Sequence, residues 1–257
     1  MLEALILGIV QGLTEFFPVS STAHLILIPD LFHFSKATET LSFDVALHGG
    51  TFLALVMAFW RDWLRIIKED RRLLLFVVLA TIPAGVAGVL LEHKVETTFR
   101  TPLIIASSMI VLGIVMLFAE KKRGGKEVGA LSLADAMAVG FAQVLALIPG
   151  VSRSGITITA GLFMGMKREE AARFSFLLSV PVVAGAVILE GRKIFHAGAM
   201  EAGILVPAVI ASAVTGLFAI KFLLRFLEKH PINAFAYYRV LLGAFIIFWW
   251  FRLAHAG

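Results

Sequence analysis

Residues 15–25 read EFFPVSSTAHL, a stretch in which a proline is soon followed by two serines and a threonine. Proline lacks a backbone N–H and clashes with the turn before it, so we expect a helix to end near Pro18. Ser20 and Ser21 are good N-caps for a new helix, because a serine oxygen accepts hydrogen bonds from free backbone N–H groups. The stretch therefore predicts a helix, a break and a second helix within residues 2–30.

The composition around this stretch is that of an integral membrane protein. The 257 residues are 59% hydrophobic and only 16% charged, which is too little polar surface to cover a soluble globule. The chain has no cysteine, which excludes disulfides and thiolate metal sites. The net charge of +5 comes without a basic patch interleaved with aromatic residues, so we expect no binding to nucleic acid. We expect no removable signal peptide, because no basic region precedes the first hydrophobic run.

Six apolar stretches are long enough to cross about 30 Å of hydrocarbon at about 1.5 Å per residue. We predict that they are transmembrane helices, at residues 43–60, 73–91, 102–119, 171–190, 203–224 and 232–252.

A second broken region, residues 132–163, repeats the first. Its break contains Pro149 and Ser152, and the offset between the two regions is about 132 residues. Each half of either region is too short to span a membrane, and in lipid such a break is tolerated only where protein or a wet cavity surrounds it. Both regions are therefore predicted to be re-entrant helix hairpins.

The same offset places the first three predicted spans onto the last three, so the sequence predicts two copies of one unit, about residues 1–125 and 126–257. A hairpin makes no net crossing and three spans make an odd number of crossings, so the second copy must be inverted relative to the first. The predicted fold is a single all-α membrane domain built as an inverted repeat. Each copy comprises a re-entrant hairpin and three transmembrane helices.

Lysine and arginine counts predict the orientation. The loops on one side carry 15 of these residues and the loops on the other side carry 6. Cytoplasmic loops are enriched in Lys and Arg. We therefore expect the richer side to be cytoplasmic, and both termini and the mouth of the first hairpin to face outward.

Polar residues gather around the two breaks. Gln11 and Glu15 are four residues apart and share one helix face, while Ser21 and His24 are three apart and share another. In an inverted repeat the two hairpin tips meet near the midplane, which brings in a second set of polar residues. The full set of candidate site residues is Gln11, Glu15, Ser20, Ser21, Thr22, His24, Ser152, Arg153, Ser154 and Thr157. A carboxylate, an imidazole, a guanidinium and two helix N-termini in one pocket favour a phosphate ligand.

Structural roles are open for several polar residues. The serines are also suited to N-capping alone, and Gln11 and Gln143 to holding the hairpins together. Asp44 and His48 lie near the end of a predicted span and Arg239 lies within the last span, so we expect these three to have structural or snorkelling roles. Ionisable groups at membrane depth are costly, which favours a functional role for Glu15 and Arg153.

Two motifs carry a resemblance to a known family. Gln11-Gly12-Leu13-Thr14-Glu15-Phe16 with Pro18-Val19-Ser20-Ser21-Thr22-x-His24, and Pro149-Gly150-Val151-Ser152-Arg153-Ser154-x-x-Thr157, are similar to the motifs of the bacterial undecaprenyl-pyrophosphate phosphatase family, also called bacitracin-resistance protein. The family's first motif has Glu or Gln at the position of Gln11, so only Glu15 is a certain carboxylate. The resemblance extends along the whole chain.

The resemblance implies an enzyme that removes the terminal phosphate of undecaprenyl pyrophosphate, a polyprenyl lipid, and so recycles the lipid carrier of cell-wall synthesis. It implies a multi-pass protein of the bacterial plasma membrane, in contact with membrane lipid. By the same resemblance, Arg153 would bind the pyrophosphate, Ser21 or His24 would be the nucleophile, and Glu15 would act as base or hold a divalent cation, Mg²⁺ or Ca²⁺. His24 would either assist Ser21 as base or attack phosphorus directly.

A transporter is the second hypothesis. Inverted repeats with broken helices that meet at the midplane are typical of secondary transporters. Such a protein would move a lipid phosphate or an anion without hydrolysis. The combination of hydroxyl, imidazole, carboxylate and guanidinium favours the enzyme, because it exceeds what binding requires. The sequence does not determine the oligomeric state, and a homodimer stays open.

Overall fold

A computed structural model of the chain describes residues 1–35, 40–97, 99, 101–197 and 202–255. Within these ranges the chain forms ten α-helices and two short 3₁₀ turns, Val128–Ala130 and Leu145–Leu147. The helices are α1 Leu2–Phe16, α2 Ser21–Phe32, α3 Leu41–Glu69, α4 Arg71–Thr97, α5 Pro102–Lys122, α6 Leu133–Val144, α7 Arg153–Phe163, α8 Arg168–Ala197, α9 Ala202–Lys229 and α10 Asn233–His255.

Six helices of the described ranges, α3, α4, α5, α8, α9 and α10, are long and apolar enough to cross a membrane. Each of the first five contains one of the stretches predicted to be transmembrane helices, and α10 covers the sixth except for residue 232. The prediction of an all-helical membrane protein with six spans is confirmed. Parts of their surfaces are strongly apolar and exposed on the isolated chain, as expected for helices that face lipid.

The other four helices are short and come in two pairs. Helices α1 and α2 have 15 and 12 residues, and α6 and α7 have 12 and 11. At about 1.5 Å per residue, none of them reaches across about 30 Å of hydrocarbon. Their depth in the membrane stays a prediction, as do the inverted orientation and the repeat boundary near residue 125.

Both breaks have the same local structure. Ser20 and Ser152 have positive φ angles of 76° and 69° and immediately precede α2 and α7. The Ser20 Oγ accepts a hydrogen bond from the backbone N–H of Ala23 (3.4 Å), and the Ser152 Oγ accepts one from Gly155 (3.1 Å). The N-capping role considered for these two serines is therefore present in the structure.

The short helices pack against the long ones through equivalent glycines. A Cβ on Gly8 of α1 would lie 2.3 Å from the carbonyl oxygen of Ala208 in α9. A Cβ on Gly140 of α6 would lie 2.4 Å from the carbonyl oxygen of Ala80 in α4. Only glycine permits these approaches, so α1 and α6 are seated at fixed heights along their partners.

Ion pairs gather the loops of the lysine-rich and arginine-rich side at one end of the molecule. Arg173 donates to Asp62 (2.9 Å), and the Nε of Arg168 donates to Glu120 (2.8 Å). Lys167 hydrogen-bonds to Glu127 and lowers the pKa of that carboxyl below its usual range. The loops assigned to one side by charge counting are therefore close together.

Candidate active site

The two helix breaks meet inside the bundle. The Ser154 Oγ in the first turn of α7 donates to the carbonyl oxygen of Phe17 in the first break (3.2 Å). The guanidinium of Arg239 in α10 donates to the carbonyl oxygens of Pro18 (3.3 Å) and Gly150 (2.7 Å), one from each break. The predicted meeting of the two breaks is thus observed in the tertiary structure.

Arg239 is buried between the two breaks and α5. Its side chain has no exposed surface, and a third hydrogen bond reaches the carbonyl oxygen of Met109 (3.3 Å). Of the two roles expected from the sequence, structural or snorkelling, the contacts of Arg239 are those of the structural one. The breaks leave carbonyl oxygens without helical partners in an apolar interior, and the guanidinium supplies the missing donors.

Glu15 is the centre of the site. It is buried at the end of α1, and three side chains donate to its carboxylate. Arg153 Nη2 lies 2.6 Å from Oε1, while Ser21 Oγ and Gln11 Nε2 lie 2.8 Å and 3.1 Å from Oε2. Charge-assisted hydrogen bonds of this kind hold the carboxylate ionised and in place. The carboxylate comes from one pair of short helices and the guanidinium from the other.

A polar cavity of about 150 Å³ lies beside this ion pair. Its lining residues are Glu15, Ser20, Ser21, Thr22, His48, Ala146, Ile148, Gly150, Ser152 and Arg153. Six of the predicted site residues line the cavity, and Gln11 is connected to it through Glu15.

Ser154 and Thr157 do not line the cavity. Ser154 is fully buried and hydrogen-bonds to Phe17, and Thr157 shares a hydrogen bond of 2.6 Å with Ser175 in α8. Both are on the faces of α7 that pack against protein. The expectation that they bind substrate is not supported by these contacts, which give them packing roles instead.

His48 is the site residue that sequence reasoning missed. Its Nδ1 lies 2.8 Å from the carbonyl oxygen of Asp44, to which it donates, so Nε2 is the atom free to act on the cavity. That Nε2 lies 3.7 Å from Glu15 Oε2. The sequence predicted a structural or snorkelling role for His48 near the end of a span; the structure places its side chain on the cavity, because the second turn of α3 lies beside the first break. The presence of an ionisable side chain in an apolar span was the available signal.

His24 lies away from the cavity. Its Nδ1 is 2.7 Å from the carbonyl oxygen of Ser20 and its Nε2 is 2.6 Å from the hydroxyl of Tyr238. The two rings are nearly parallel, with an interplanar angle of 5°. Both nitrogens therefore have partners other than Ser21, and these contacts do not support the predicted role of His24 as base or nucleophile.

These positions predict different effects for two histidine substitutions. We expect His48→Gln to lower kcat about tenfold or more with little change in melting temperature, because a cavity-lining side chain beside Glu15 is altered. We expect His24→Gln to change kcat less and to lower the melting temperature, because a buried hydrogen-bonded pair is broken. Activity and thermal unfolding of both purified variants test this. If stably folded His24→Gln lost more kcat than His48→Gln, the result would support a catalytic role for His24 and contradict this prediction.

Two buried polar atoms at the site have no hydrogen-bond partner within the described part of the chain. They are Nη1 of Arg153 and Oε1 of Gln11. Buried polar groups are rarely left unsatisfied, so the free Nη1 of Arg153, which lines the cavity, points to an additional ligand there. The guanidinium can donate to an anion in the cavity, whereas Gln11 has no exposed surface and does not line the cavity.

The residues fit a divalent cation only in partnership with a substrate. No group of three or more His, Asp and Glu side chains that could hold a metal occurs in the described ranges. Mg²⁺, however, is commonly bound by one or two carboxylates together with phosphate oxygens and water. Glu15, whose carboxylate lines the cavity, matches that requirement.

The cavity also receives the N-termini of α2 and α7, which begin at Ser21 and Arg153. Free N–H groups and the helix dipole favour an anion at such a position. Together with the guanidinium, these features suit a phosphate group next to a hydroxyl nucleophile. Fold and site define a multi-pass membrane protein with a buried anion site of catalytic composition.

Comparisons with known proteins agree with this class. The family model described as bacitracin resistance protein BacA matches residues 4–245, and the chain belongs to that family. A protein of Thermodesulfovibrio yellowstonii named undecaprenyl-diphosphatase is 49% identical over 252 residues, covering 98% of both chains. A protein of the same name from Desulforudis audaxviator is 48% identical, covering 95% of this chain and 96% of its own.

Proposed function

We propose that this protein hydrolyses undecaprenyl diphosphate to undecaprenyl phosphate and inorganic phosphate. The observation that carries the proposal is the hydrogen-bonded set of Arg153, Glu15 and Ser21 on one small cavity. Its relatives' shared name, undecaprenyl-diphosphatase, supports the same substrate. The product is the lipid carrier in the form that cell-wall synthesis reuses.

Ser21 is the proposed nucleophile. Its hydroxyl donates to Glu15 across 2.8 Å, so the carboxylate orients the oxygen and accepts its proton as the Ser21 Oγ attacks the terminal phosphorus. The bond from phosphorus to the bridging oxygen breaks, and undecaprenyl phosphate leaves with the electron pair. Water then displaces the phosphoryl group from Ser21, whose oxygen regains a proton from Glu15.

Arg153 is proposed to hold the phosphoryl oxygens. Its Nη2 is engaged by Glu15, which leaves Nη1 as a donor with no partner among the described residues. A guanidinium grips two oxygens of a phosphate with a planar fork of donors. The same ion pair thereby places the phosphorus beside Ser21.

A divalent cation, Mg²⁺ or Ca²⁺, is proposed as cofactor. Glu15, whose carboxylate lines the polar cavity, would hold it together with the substrate. A bound cation supplies charge neutralisation for the diphosphate and its leaving group.

The proposed location is the bacterial plasma membrane, with the cavity open to the outer face and both termini outside. The homodimer stays an untested prediction.

Release of inorganic phosphate tests the function. We expect the purified protein in detergent to release phosphate from undecaprenyl or farnesyl diphosphate, and to lose this activity when a chelator is added. A transporter without hydrolysis would release none, and that result would overturn the proposal. Activity that persists in the presence of the chelator would overturn only the proposed cation cofactor and would leave the proposed hydrolysis standing.

The charge asymmetry of 15 against 6 predicts the topology. In this cysteine-free chain, single cysteines at Lys122 and Asp30 can be probed with an impermeant maleimide on intact cells. We expect labelling at Asp30 and none at Lys122 until the cells are permeabilised. The reverse pattern would contradict the orientation. The C-terminal position Ala256 is also predicted to be outside, but it lies beyond the described residues.

A further inference from the structure

A second, apolar groove of about 560 Å³ lies beside the second helix break. One wall is the face of α5 from Leu103 to Val115, and the other wall includes Ile148, Val151 and Ile156. Apart from Ser107 and Ser108, the lining side chains are hydrocarbon. Such a surface favours an apolar chain and gives no grip to a polar ligand.

The groove and the polar cavity share a wall. Ile148 lines both, so the two adjoin at this side chain, and the segment 148–153 contributes lining residues to each. Gly150, Ser152 and Arg153 in this segment face the polar cavity, while Val151 faces the groove. A molecule with a phosphate head and an apolar tail can therefore bind with its head in the polar cavity and its tail in the apolar groove.

The shared wall is held rigidly to α5. The Ser108 Oγ donates to the carbonyl oxygen of Pro149 (2.7 Å), and a Cβ on Gly150 would lie 2.2 Å from that same Oγ. Gly150 also has a φ angle of +92°, which favours glycine. The distance between groove and cavity is thus set by the fold.

The groove opens sideways onto the lipid-facing surface. Val111 of α5 is 60% exposed, and Leu145 on the opposite rim is 50% exposed. A long chain that enters the groove can therefore continue into the bilayer without crossing the bundle.

We propose that this groove binds the first isoprene units of the substrate tail, between α5 and the second break, while the diphosphate occupies the polar cavity. The inference rests on the proposed function, because it takes a polyprenyl diphosphate as substrate. Burial of the apolar tail stabilises the complex and sets the depth at which the diphosphate enters. The groove then selects polyprenyl diphosphates over other diphosphates.

The test fills the groove without altering the catalytic residues. Ser107→Trp and Leu145→Trp place a large ring in the groove, and Val214→Trp on the exposed face of α9 is the matched control. We expect both groove variants to lower kcat/KM for farnesyl diphosphate about tenfold or more, while kcat/KM for methyl diphosphate, which has no isoprene unit, stays at the parent value. The Val214→Trp control should retain the parent kcat/KM for both substrates.

Equal losses for the two substrates, or no loss, would overturn the groove assignment in a protein whose parent form is active. A parent protein that releases no phosphate from either substrate would instead overturn the proposed function.

Photolabelling gives a second readout that does not need turnover. A farnesyl diphosphate analogue with a diazirine on its first isoprene unit should label peptides that contain residues 103–115 and 145–156. Undecaprenyl phosphate should compete with this labelling and phosphatidylglycerol should not. Competition by phosphatidylglycerol at equal concentration would show that the groove holds bulk lipid, and would reject the proposal.

Discussion

A Glu15→Gln substitution is expected to lower kcat at least about a hundredfold, the usual scale for a catalytic carboxylate. The carboxylate receives the Ser21 hydroxyl, and an amide in its place is a much weaker proton acceptor. The substitution also leaves the buried guanidinium of Arg153 without its counter-charge. Phosphate release from farnesyl diphosphate by the purified variant measures the loss.

Gln11→Glu is the matched comparison, one helical turn away. Gln11 donates to Glu15 through Nε2 but does not itself line the cavity. The resemblance allows Glu at this position, so we expect Gln11→Glu to keep activity within about tenfold. A thermal unfolding measurement on both variants separates misfolding from lost chemistry. Equal tolerance at the two positions would remove Glu15 from its proposed role.

Arg153→Lys is expected to be the second large effect, with a loss of about a hundredfold that appears mainly in kcat. Lysine keeps the charge but loses the planar fork, so it cannot contact Glu15 and two phosphoryl oxygens at once. If the contact strengthens as the phosphoryl oxygens spread in the transition state, KM should change less than kcat.

Arg153→Ala should be worse, because Glu15 is then buried without its partner and the fold is weakened as well. A lower melting temperature is expected for the alanine variant and a near-parental one for the lysine variant. Arg239 cannot replace the lost cation, since its donors are bound to carbonyl oxygens of the two breaks. Near-parental turnover by a stably folded Arg153→Lys protein would show that Arg153 is not the phosphoryl clamp.

Much of the fold could be predicted because the bilayer restricts it. Six apolar segments of sufficient length had to be helices, since lipid offers backbone groups no other partners. Pro18 and Pro149, each followed by a capping serine, marked the breaks. At Glu15, Arg153 and Ser21 the sequence succeeded for a related reason: polar groups in an apolar interior must find one another.

The positions of His24 and His48 relative to the cavity could not be predicted from the sequence. Helical spacing placed His24 near Ser21 along α2, but it did not indicate that Tyr238, from the distant α10, would engage its Nε2. His48 is far from Glu15 in the sequence, and nothing in its own neighbourhood showed that α3 crosses beside the first break. Helical periodicity determines which residues share one face of a helix. Which other helix packs against that face depends on contacts between residues that are far apart in the sequence.

The sequence by itself determined the class of protein, the six spans, the two breaks and the residue types of the site, because each follows from local backbone chemistry and the cost of polarity in lipid. The tertiary structure alone decided which side chains meet. It placed His48 on the cavity and His24 against Tyr238, turned Ser154 and Thr157 toward protein, placed Arg239 at the carbonyl oxygens of the breaks, and set an apolar groove against the polar cavity. These outcomes depend on where close-packed helices contact each other along their lengths. Glycine contacts, such as that of Gly8 with Ala208, fix these positions. They are properties of helix pairs, so no single segment of the sequence encodes them.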